Sequence, residues 1–218
     1  MEKSKYAQTL DETQKALKPI FRESGFRKQG RSYNRQCADG IVHVINFQMG
    51  QYLISKIKIP EIRKNLYGYF TVNLGVLLPC VDQLEFRRKV KSLYLPCDCH
   101  IRVRLGELID QGADIWWDLN QKPEKLASTM LPLLQKVGLP FVDPFSSYQD
   151  IIAYYQYHQI LPSNSAARSA LVIALIYFEI DQQQAAKEYF DRALEYAMDG
   201  SSHSGFQNHI QEVRARCL

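Results

Sequence analysis

The sequence lacks the features that would place it in a specialised class of protein. Its longest apolar run, residues 170–178, is far shorter than the ~20 residues that a membrane-spanning helix needs. Hydrophobic residues make up 46% of the chain and charged residues 23%, which excludes disordered, collagen-like and coiled-coil proteins. The charges of the first six residues have no apolar stretch behind them. We therefore expect no secretory signal and no membrane partner.

Cysteine is scarce and odd in number, with five residues in the chain. An odd count without a signal peptide favours free thiols in a reducing cytoplasm over a disulfide framework. The tetrapeptide of residues 97–100 is a candidate zinc-binding segment, because Cys97, Cys99 and His100 carry suitable ligand atoms. A zinc site needs about four such ligands, and no second cysteine pair exists. We therefore predict no metal and no cofactor, and we leave metal binding by these three residues open.

Sequence signatures of catalysis are missing. There is no Gly-x-Ser-x-Gly elbow, and no glycine-rich phosphate loop of the Walker or dinucleotide kind. Paired carboxylates, which a glycosidase requires, do not stand out in the basic half. These absences favour a protein that is not an enzyme, although an enzyme with an unfamiliar site stays an alternative.

The charge is distributed unevenly along the chain. Residues 1–110 hold 19 Lys and Arg against 11 Asp and Glu, a net charge of +8, whereas residues 111–218 hold 8 against 12, a net charge of −4. A basic half can attract an acidic partner or phosphate groups, or it can simply face the acidic half. The basic positions that could contact phosphates are Arg27, Lys28, Arg31, Arg35, Arg87, Arg88, Lys89 and Lys91.

Hydrophobic periodicity predicts an α+β fold. Apolar residues at helical spacing predict a helix over residues 4–24, which Pro19 should kink or shorten. Period-two alternation predicts a hairpin over residues 26–48, which turns at Asp39-Gly40, and a strand over residues 69–78. Further predicted segments are a helix over 82–94, strands over 100–105 and 114–119, and a loop or short edge strand over 49–68.

The pattern becomes helical after residue 123. We predict helices over residues 123–136, 143–160, 166–179, 182–198 and 204–217. Strands followed only by helices are typical of an antiparallel sheet of about five strands flanked by helices, with a helical appendage that contains a helical hairpin. We place the domain boundary at residue 143, so that the α+β domain spans residues 1–143 and the appendage spans residues 144–218.

Several segments together resemble a known family. They are residues 18–33, 44–48 and 70–76, extended by Arg104-Leu105-Gly106 and Asp114-Ile115-Trp116-Trp117. This ordered set resembles the bacterial family called domain of unknown function 4304, over residues 5–140. The resemblance implies an uncharacterised bacterial cytosolic protein, and it supplies no catalytic residues.

The C-terminal part carries a weaker resemblance. Small and large residues alternate there as in one tetratricopeptide helix pair, at Ala170, Ile173, Ala174 and Tyr177, and then at Ala186, Phe190 and Ala193. One such repeat does not normally stand alone. An ordinary helical hairpin therefore stays an equal alternative.

The opposite face of the predicted sheet carries polar side chains. If Phe47, Val72 and Val103 cover the core, alternation turns their neighbours outward. Amides offer hydrogen-bond donors and acceptors, and guanidinium groups pair with carboxylates or phosphates. We predict a binding face formed by Asn46, Gln48, Asn73, Arg102 and Arg104, joined by Arg31 if the first hairpin strand has the matching parity. A solvated or covered sheet face is the alternative.

Taken together, these features predict a non-enzymatic bacterial protein that binds another protein, acidic in character, through this polar face. Its role would be that of an immunity protein or an adaptor. The alternative is a binder of nucleic acid or a phosphate ligand through the basic half. Against the alternative, the best aromatics alternate onto the core face, and the pI of 8.7 is below the value of about 9 that marks nucleic-acid binders.

Overall fold

The computed structural model describes residues 4–51, 66–89, 91–110, 113–199 and 204–218. In this part of the chain the fold is α+β, as predicted, with a six-stranded antiparallel sheet and a helical C-terminal region. The N-terminal elements are α1 (Lys5–Ala16), α2 (Lys18–Glu23), β1 (Arg27–Gln29), β2 (Ser32–Gln36), β3 (Val42–Met49), β4 (Tyr69–Leu77), α3 (Pro79–Leu84), β5 (Ile101–Arg104), α4 (Leu105–Ile109) and β6 (Trp117–Asp118).

The remaining elements are all helical. They are α5 (Pro123–Leu133), a π-helical turn (Leu134–Gly138), α6 (Leu139–Val142), α7 (Tyr148–His158), α8 (Ala166–Glu179), α9 (Gln183–Asp199) and α10 (Ser204–Cys217). Short 3₁₀ turns occur at Ala38–Gly40, Pro96–Asp98 and Asp143–Phe145. Among the helices of the described residues, none combines the length and the apolar character needed to cross a bilayer.

The predicted first helix is in fact two helices. The Ser4 hydroxyl accepts a hydrogen bond from the Ala7 amide and caps α1, as N-terminal serines commonly do. Pro19 lies in the first turn of α2, where its missing amide has no consequence. Gly25 then adopts a φ of 80°, a left-handed conformation that suits glycine. The chain leaves α2 through this residue and enters β1.

The sheet is a meander in which each strand pairs with its neighbour in the sequence, in the order β1-β2-β3-β4-β5, while β6 pairs with β4. The turn between β2 and β3 has Asp39 at a φ of 55° and Gly40 at 71°. Asp and Gly tolerate these angles, as the sequence predicts for this turn.

One face of the sheet packs on helices and forms the main core. Tyr33, Phe47 and Val72 are at most 1% exposed there, and the ring of Phe21 from α2 stacks on Tyr33 with centroids 4.0 Å apart. His43 lies on the same face, as predicted, and its Nε2 donates to the Phe145 carbonyl at 2.9 Å. It is a core histidine whose hydrogen bond is satisfied.

Two further predicted elements differ from the structure, and a third lies mostly outside the described residues. The helix expected over residues 82–94 spans only Pro79–Leu84, and Arg87 adopts a φ of 52°, which no α-helix accepts. The strand expected over residues 114–119 is reduced to Trp117–Asp118. Most of the segment expected as a loop or edge strand over residues 49–68 lies outside the described residues.

The C-terminal helices pack against the sheet domain through a shared core. One hydrophobic cluster contains Leu10 and Phe47 as well as Ile173 and Val213. Helices α8 and α9 form the predicted hairpin, and their facing small residues are fully buried, namely Ala170, Ala174, Ala186 and Ala193.

Candidate functional site

The register of the three central strands places the predicted polar residues on one face. Asn46 of β3 pairs with Asn73 of β4, and Asn73 pairs with Arg104 of β5. Gln48 and Arg102 lie two residues away along their strands, so their side chains share that face. The face is opposite the one that packs on helices.

These five side chains line a single open cavity of about 590 Å³, which we call the polar cleft. This volume lies within the range of about 300–1,000 Å³ that is typical of ligand sites. The cleft also has lining residues from the segment before β5, from helix α4 and from the loop between α7 and α8, namely Leu95, Pro96, Cys97, Glu107 and Ser163.

The segment of residues 91–99 forms one wall of the polar cleft. The Asn34 side chain fixes this segment, because its Nδ2 donates to the Tyr94 carbonyl at 3.2 Å and its Oδ1 accepts from the Tyr94 amide at 3.0 Å. Tyr94 and Cys99 form a small apolar cluster with three strand residues of the polar face, Val42, Val44 and Leu77. The segment therefore covers one end of the predicted face and leaves the other end open.

Contact between this wall and the sheet depends on Gly75. A Cβ atom at this position would lie 2.5 Å from the Cys99 sulfur and 2.8 Å from its Cβ, well inside van der Waals contact. The missing side chain lets Cys99, at the end of this segment, lie directly against β4.

The chain after β5 contacts the same face of the sheet next to Arg104. The Thr71 hydroxyl donates to the Ile115 carbonyl at 3.1 Å, and Arg104 pairs with Asp114 at 2.6 Å. The Arg104 guanidinium also lies 5.5 Å from the Trp116 ring centroid, within the range of a cation–π interaction. Arg104 therefore has a fixed position at this end of the cleft.

The amide side chains on the floor of the cleft are fixed by hydrogen bonds to one another and to Ser32. Asn73 Nδ2 donates to Gln48 Oε1 at 2.9 Å, and Asn46 Nδ2 donates to the Ser32 hydroxyl at 2.8 Å. Such bonds fix which end of each amide is donor and which is acceptor. The floor is a preorganised row of amides on rigid strands.

Arg102 differs from the other charged residues of the cleft. Its side chain is exposed, and within the described ranges it has no hydrogen bond or ion pair. It also lines an adjoining recess of about 260 Å³, together with Arg88, His100 and Arg168. Arg102 therefore offers an uncompensated guanidinium at the junction of two cavities.

Arg31, the sixth predicted residue, and Arg35 of β2 lie on the other side of the sheet. The register pairs Ser32 with Asn46, so the parity of β2 turns both Arg31 and Arg35 away from the cleft. Arg31 pairs with Asp11 of α1 at 3.8 Å, and Arg35 pairs with Asp143. The structure thus brings five of the six predicted residues together and separates Arg31 from them.

The side chains of residues 97–100 lie in different environments. Cys97 is exposed and lines the cleft, whereas the Cys99 thiol is buried and donates to the Leu95 carbonyl. His100 Nδ1 accepts from the Leu78 amide at 3.0 Å, and burial lowers the pKa of His100 to about 3. No cluster of three or more metal-ligating side chains occurs among the residues that the structure describes.

The loop residues of the cleft carry little sequence signal. Leu95, Pro96 and Ser163 reach the site only because distant segments fold over the sheet. Glu107 has a local signal, since it is the third residue of a helix and its carboxylate accepts from the Arg104 amide at 3.2 Å, an arrangement typical of helix N-termini.

Comparison with known families identifies this domain. The family model described as Domain of unknown function (DUF4304) matches residues 17–144, which is more than half of the chain and includes every strand of the sheet. The chain therefore belongs to this family. No curated protein and no solved structure gives a match.

Proposed function

We propose that this member of the DUF4304 family is a protein-interaction protein that binds an acidic segment of a partner protein in the polar cleft. The observation that carries the proposal is the convergence of Asn46, Gln48, Asn73, Arg102 and Arg104 on one cavity. An immunity or adaptor role in a bacterial cytoplasm is the setting that we propose for it. Free thiols at all five cysteines suit that reducing compartment.

The chemistry of the cleft favours a peptide with a carboxylate. The amide row can pair with the N–H and C=O groups of a bound main chain, since each amide side chain carries both donors and acceptors. Arg102 is free to form a bidentate pair with an Asp or Glu side chain. Leu95 and Pro96 add an apolar edge, so the cleft combines one unpaired cation, several amides and a hydrophobic wall.

The experiment uses charge reversal at Arg102. The wild-type protein and the Arg102→Glu variant serve as bait in lysate of the source organism, and a protein captured only by the wild type is then purified. Calorimetry with that purified partner should show that Arg102→Ala weakens binding about tenfold, which corresponds to about 1.4 kcal/mol. Asn73→Ala should weaken binding as well, because it removes the centre of the amide row.

The matched control is Lys125→Glu, which changes an exposed cation on α5 that lies outside the cleft. This variant should bind the partner as the wild type does. Equal binding by wild type, Arg102→Glu and the control would contradict the proposal, and so would the failure of every captured protein to bind once purified.

A further inference from the structure

The recess of about 260 Å³ beside the polar cleft is lined by three guanidinium groups, and we call it the arginine recess. The groups come from separate parts of the fold. Arg88 lies in the segment after α3, Arg102 lies on β5, and Arg168 lies on α8. The recess and the polar cleft share Cys97, Arg102 and Ser163. Tertiary structure therefore brings three cations, distant in sequence, to one small cavity.

The ring of Phe86 positions two of these cations. The guanidinium carbon of Arg88 lies 4.5 Å from the Phe86 ring centroid, and that of Arg168 lies 5.7 Å from it. Both distances are within the range of a cation–π interaction. Arg88 pairs with Asp82 at 3.5 Å. Arg168 pairs with Glu85. Since a guanidinium group has five N–H donors, one carboxylate pair leaves further donors for a ligand.

The imidazole of His100 adds a buried donor to the recess. His100 lines the recess, and its side chain is 5% exposed. Its Nδ1 accepts from the Leu78 amide, so the proton of the neutral ring lies on Nε2. Asp82 Oδ1 lies 3.4 Å from this Nε2, but Nε2 has no hydrogen-bond partner. A buried N–H without a partner is costly, and an anionic oxygen in the recess would supply the acceptor.

Positive charge prevails around this imidazole. Burial is the main cause that lowers the pKa of His100 to about 3, and the charges of Arg168 and Arg88 lower it further, whereas Asp98 raises it. Asp98 is the acidic lining residue of the recess among the described residues, and it is paired with Lys91 at 2.6 Å. Arg102 has no such partner in the described ranges. The recess is therefore suited to an anion.

We infer that the arginine recess binds a phosphate dianion, as a free ion or as a phosphomonoester group. The recess is smaller than the range of about 300–1,000 Å³ that is typical of sites for whole ligands, so it suits one compact group. A carboxylate carries a single charge, and one guanidinium fork satisfies it. A phosphoryl group carries nearly two charges and three strong acceptor oxygens, which match donors from several arginines. The inference does not require the protein partner proposed for the polar cleft.

The test is calorimetric titration of the whole chain at mildly alkaline pH, where a phosphomonoester is a dianion. The probes are inorganic phosphate, N-acetyl-phosphoserine amide and N-acetyl-glutamate amide. Both phosphate probes should bind, and the glutamate probe should bind about tenfold more weakly. Tighter binding of the phosphoserine probe than of inorganic phosphate would identify a phosphorylated side chain as the source of the group. The reverse order would identify a free phosphate compound.

Two variants locate the site. Arg102→Gln removes the unpaired guanidinium at an exposed position, and Arg88→Gln removes a guanidinium that lines the recess and not the polar cleft. Each should weaken phosphate binding about tenfold, while circular dichroism shows unchanged folding. The matched control Lys89→Gln removes the same charge from the exposed residue next to Arg88, outside the recess lining. This control should bind phosphate as the wild type does. Bound phosphate should also slow the modification of Cys97 by iodoacetamide.

Three results would overturn the inference. The first is that neither phosphate probe binds. The second is that the glutamate probe binds as tightly as the phosphoserine probe. The third is an equal loss of affinity in Lys89→Gln and in the two recess variants, which would indicate a diffuse effect of surface charge. Because these titrations contain no partner protein, any of these results would leave the proposal for the polar cleft standing.

Discussion

Arg168 of α8 donates a hydrogen bond to Glu85, a carboxylate that is almost completely removed from solvent. The Glu85 side chain is 1% exposed and that of Arg168 is 19% exposed. His209 of α10 donates to the same Glu85 oxygen at 2.8 Å. Glu85 directly follows α3, so this one carboxylate joins the sheet domain to two of the C-terminal helices.

We predict that Arg168→Met destabilises the protein by about 3 kcal/mol, because it leaves a buried charge with an incomplete set of partners. Urea unfolding followed by circular dichroism measures the change. The double variant Glu85→Gln/Arg168→Met should recover part of the loss, since the buried charge is then gone. Equal stability of Arg168→Met and the wild type would show that the ion pair contributes nothing.

The contact between Gly75 and Cys99 leads to a second prediction. Gly75→Ala should cost about 2 kcal/mol, because the added methyl group meets the Cys99 side chain in a filled space. The control is Gly205→Ala on α10, where no atom lies within 4 Å of the added carbon and alanine favours the helix. Thermal melts of both variants check this prediction, and equal melting temperatures would refute it.

His43 gives the protein a pH-dependent stability. Burial is the main cause that lowers the pKa of His43 to about 4, and Arg35 lowers it further, whereas the hydrogen bond to Phe145 and the charge of Asp143 raise it. In the unfolded chain His43 takes up a proton near pH 6.5, whereas in the native protein it does so only near pH 4. The contribution of His43 to the free energy of unfolding is therefore fully present above pH 6.5 and is lost as the pH falls from 6.5 to 4. The loss at His43 should approach about 3 kcal/mol.

The variant His43→Gln tests this dependence. Its unfolding free energy should change less than that of the wild type between pH 6.5 and pH 4. His100, whose pKa burial also lowers, keeps part of the slope. The control His158→Gln replaces an exposed histidine on α7 and should retain the full wild-type slope; parallel curves for wild type and His43→Gln would contradict the assignment.

The thiols should differ in reactivity. Cys97 is exposed in the polar cleft, whereas burial raises the pKa of Cys80 to about 12 and that of Cys99 still further. Because the thiolate is the reactive form, iodoacetamide at mildly alkaline pH should modify Cys97 first and spare Cys80 and Cys99. Mass spectrometry of tryptic peptides measures the order, and a bound partner should protect Cys97. Early modification of Cys80 in the folded protein would be inconsistent with this structure.

Alternation along the strands predicted the sheet and its polar face correctly, because a strand turns successive side chains to opposite sides whatever lies next to it. The same rule could not assign Arg31, which follows Gly30 in the turn before β2. Its side is fixed by the pairing of Ser32 with Asn46, and the sequence does not reveal that register. The placement of Arg31 beside Asp11 therefore required the structure.

The walls of the cleft could not be predicted, because they depend on contacts between segments distant in sequence. Asn34 holds the chain at Tyr94 across 60 residues, and Ser163 arrives from the helical region. The helix predicted over residues 82–94 does not form for a related reason, because Glu85 and the turn after it contact residues of α8 and α10. Local helical propensity is overruled there by tertiary contacts.

The meander order of the sheet has a kinetic consequence. Among the described residues every main strand pairs with the one before it in the chain, and the connections β1–β2 and β2–β3 are short. Pairing between segments that are close in sequence speeds folding. The hairpins can assemble during synthesis, one after another from the N-terminus. The slow step should then be the late docking of α8 and α10 onto Glu85, which fastens the helical region to the sheet domain.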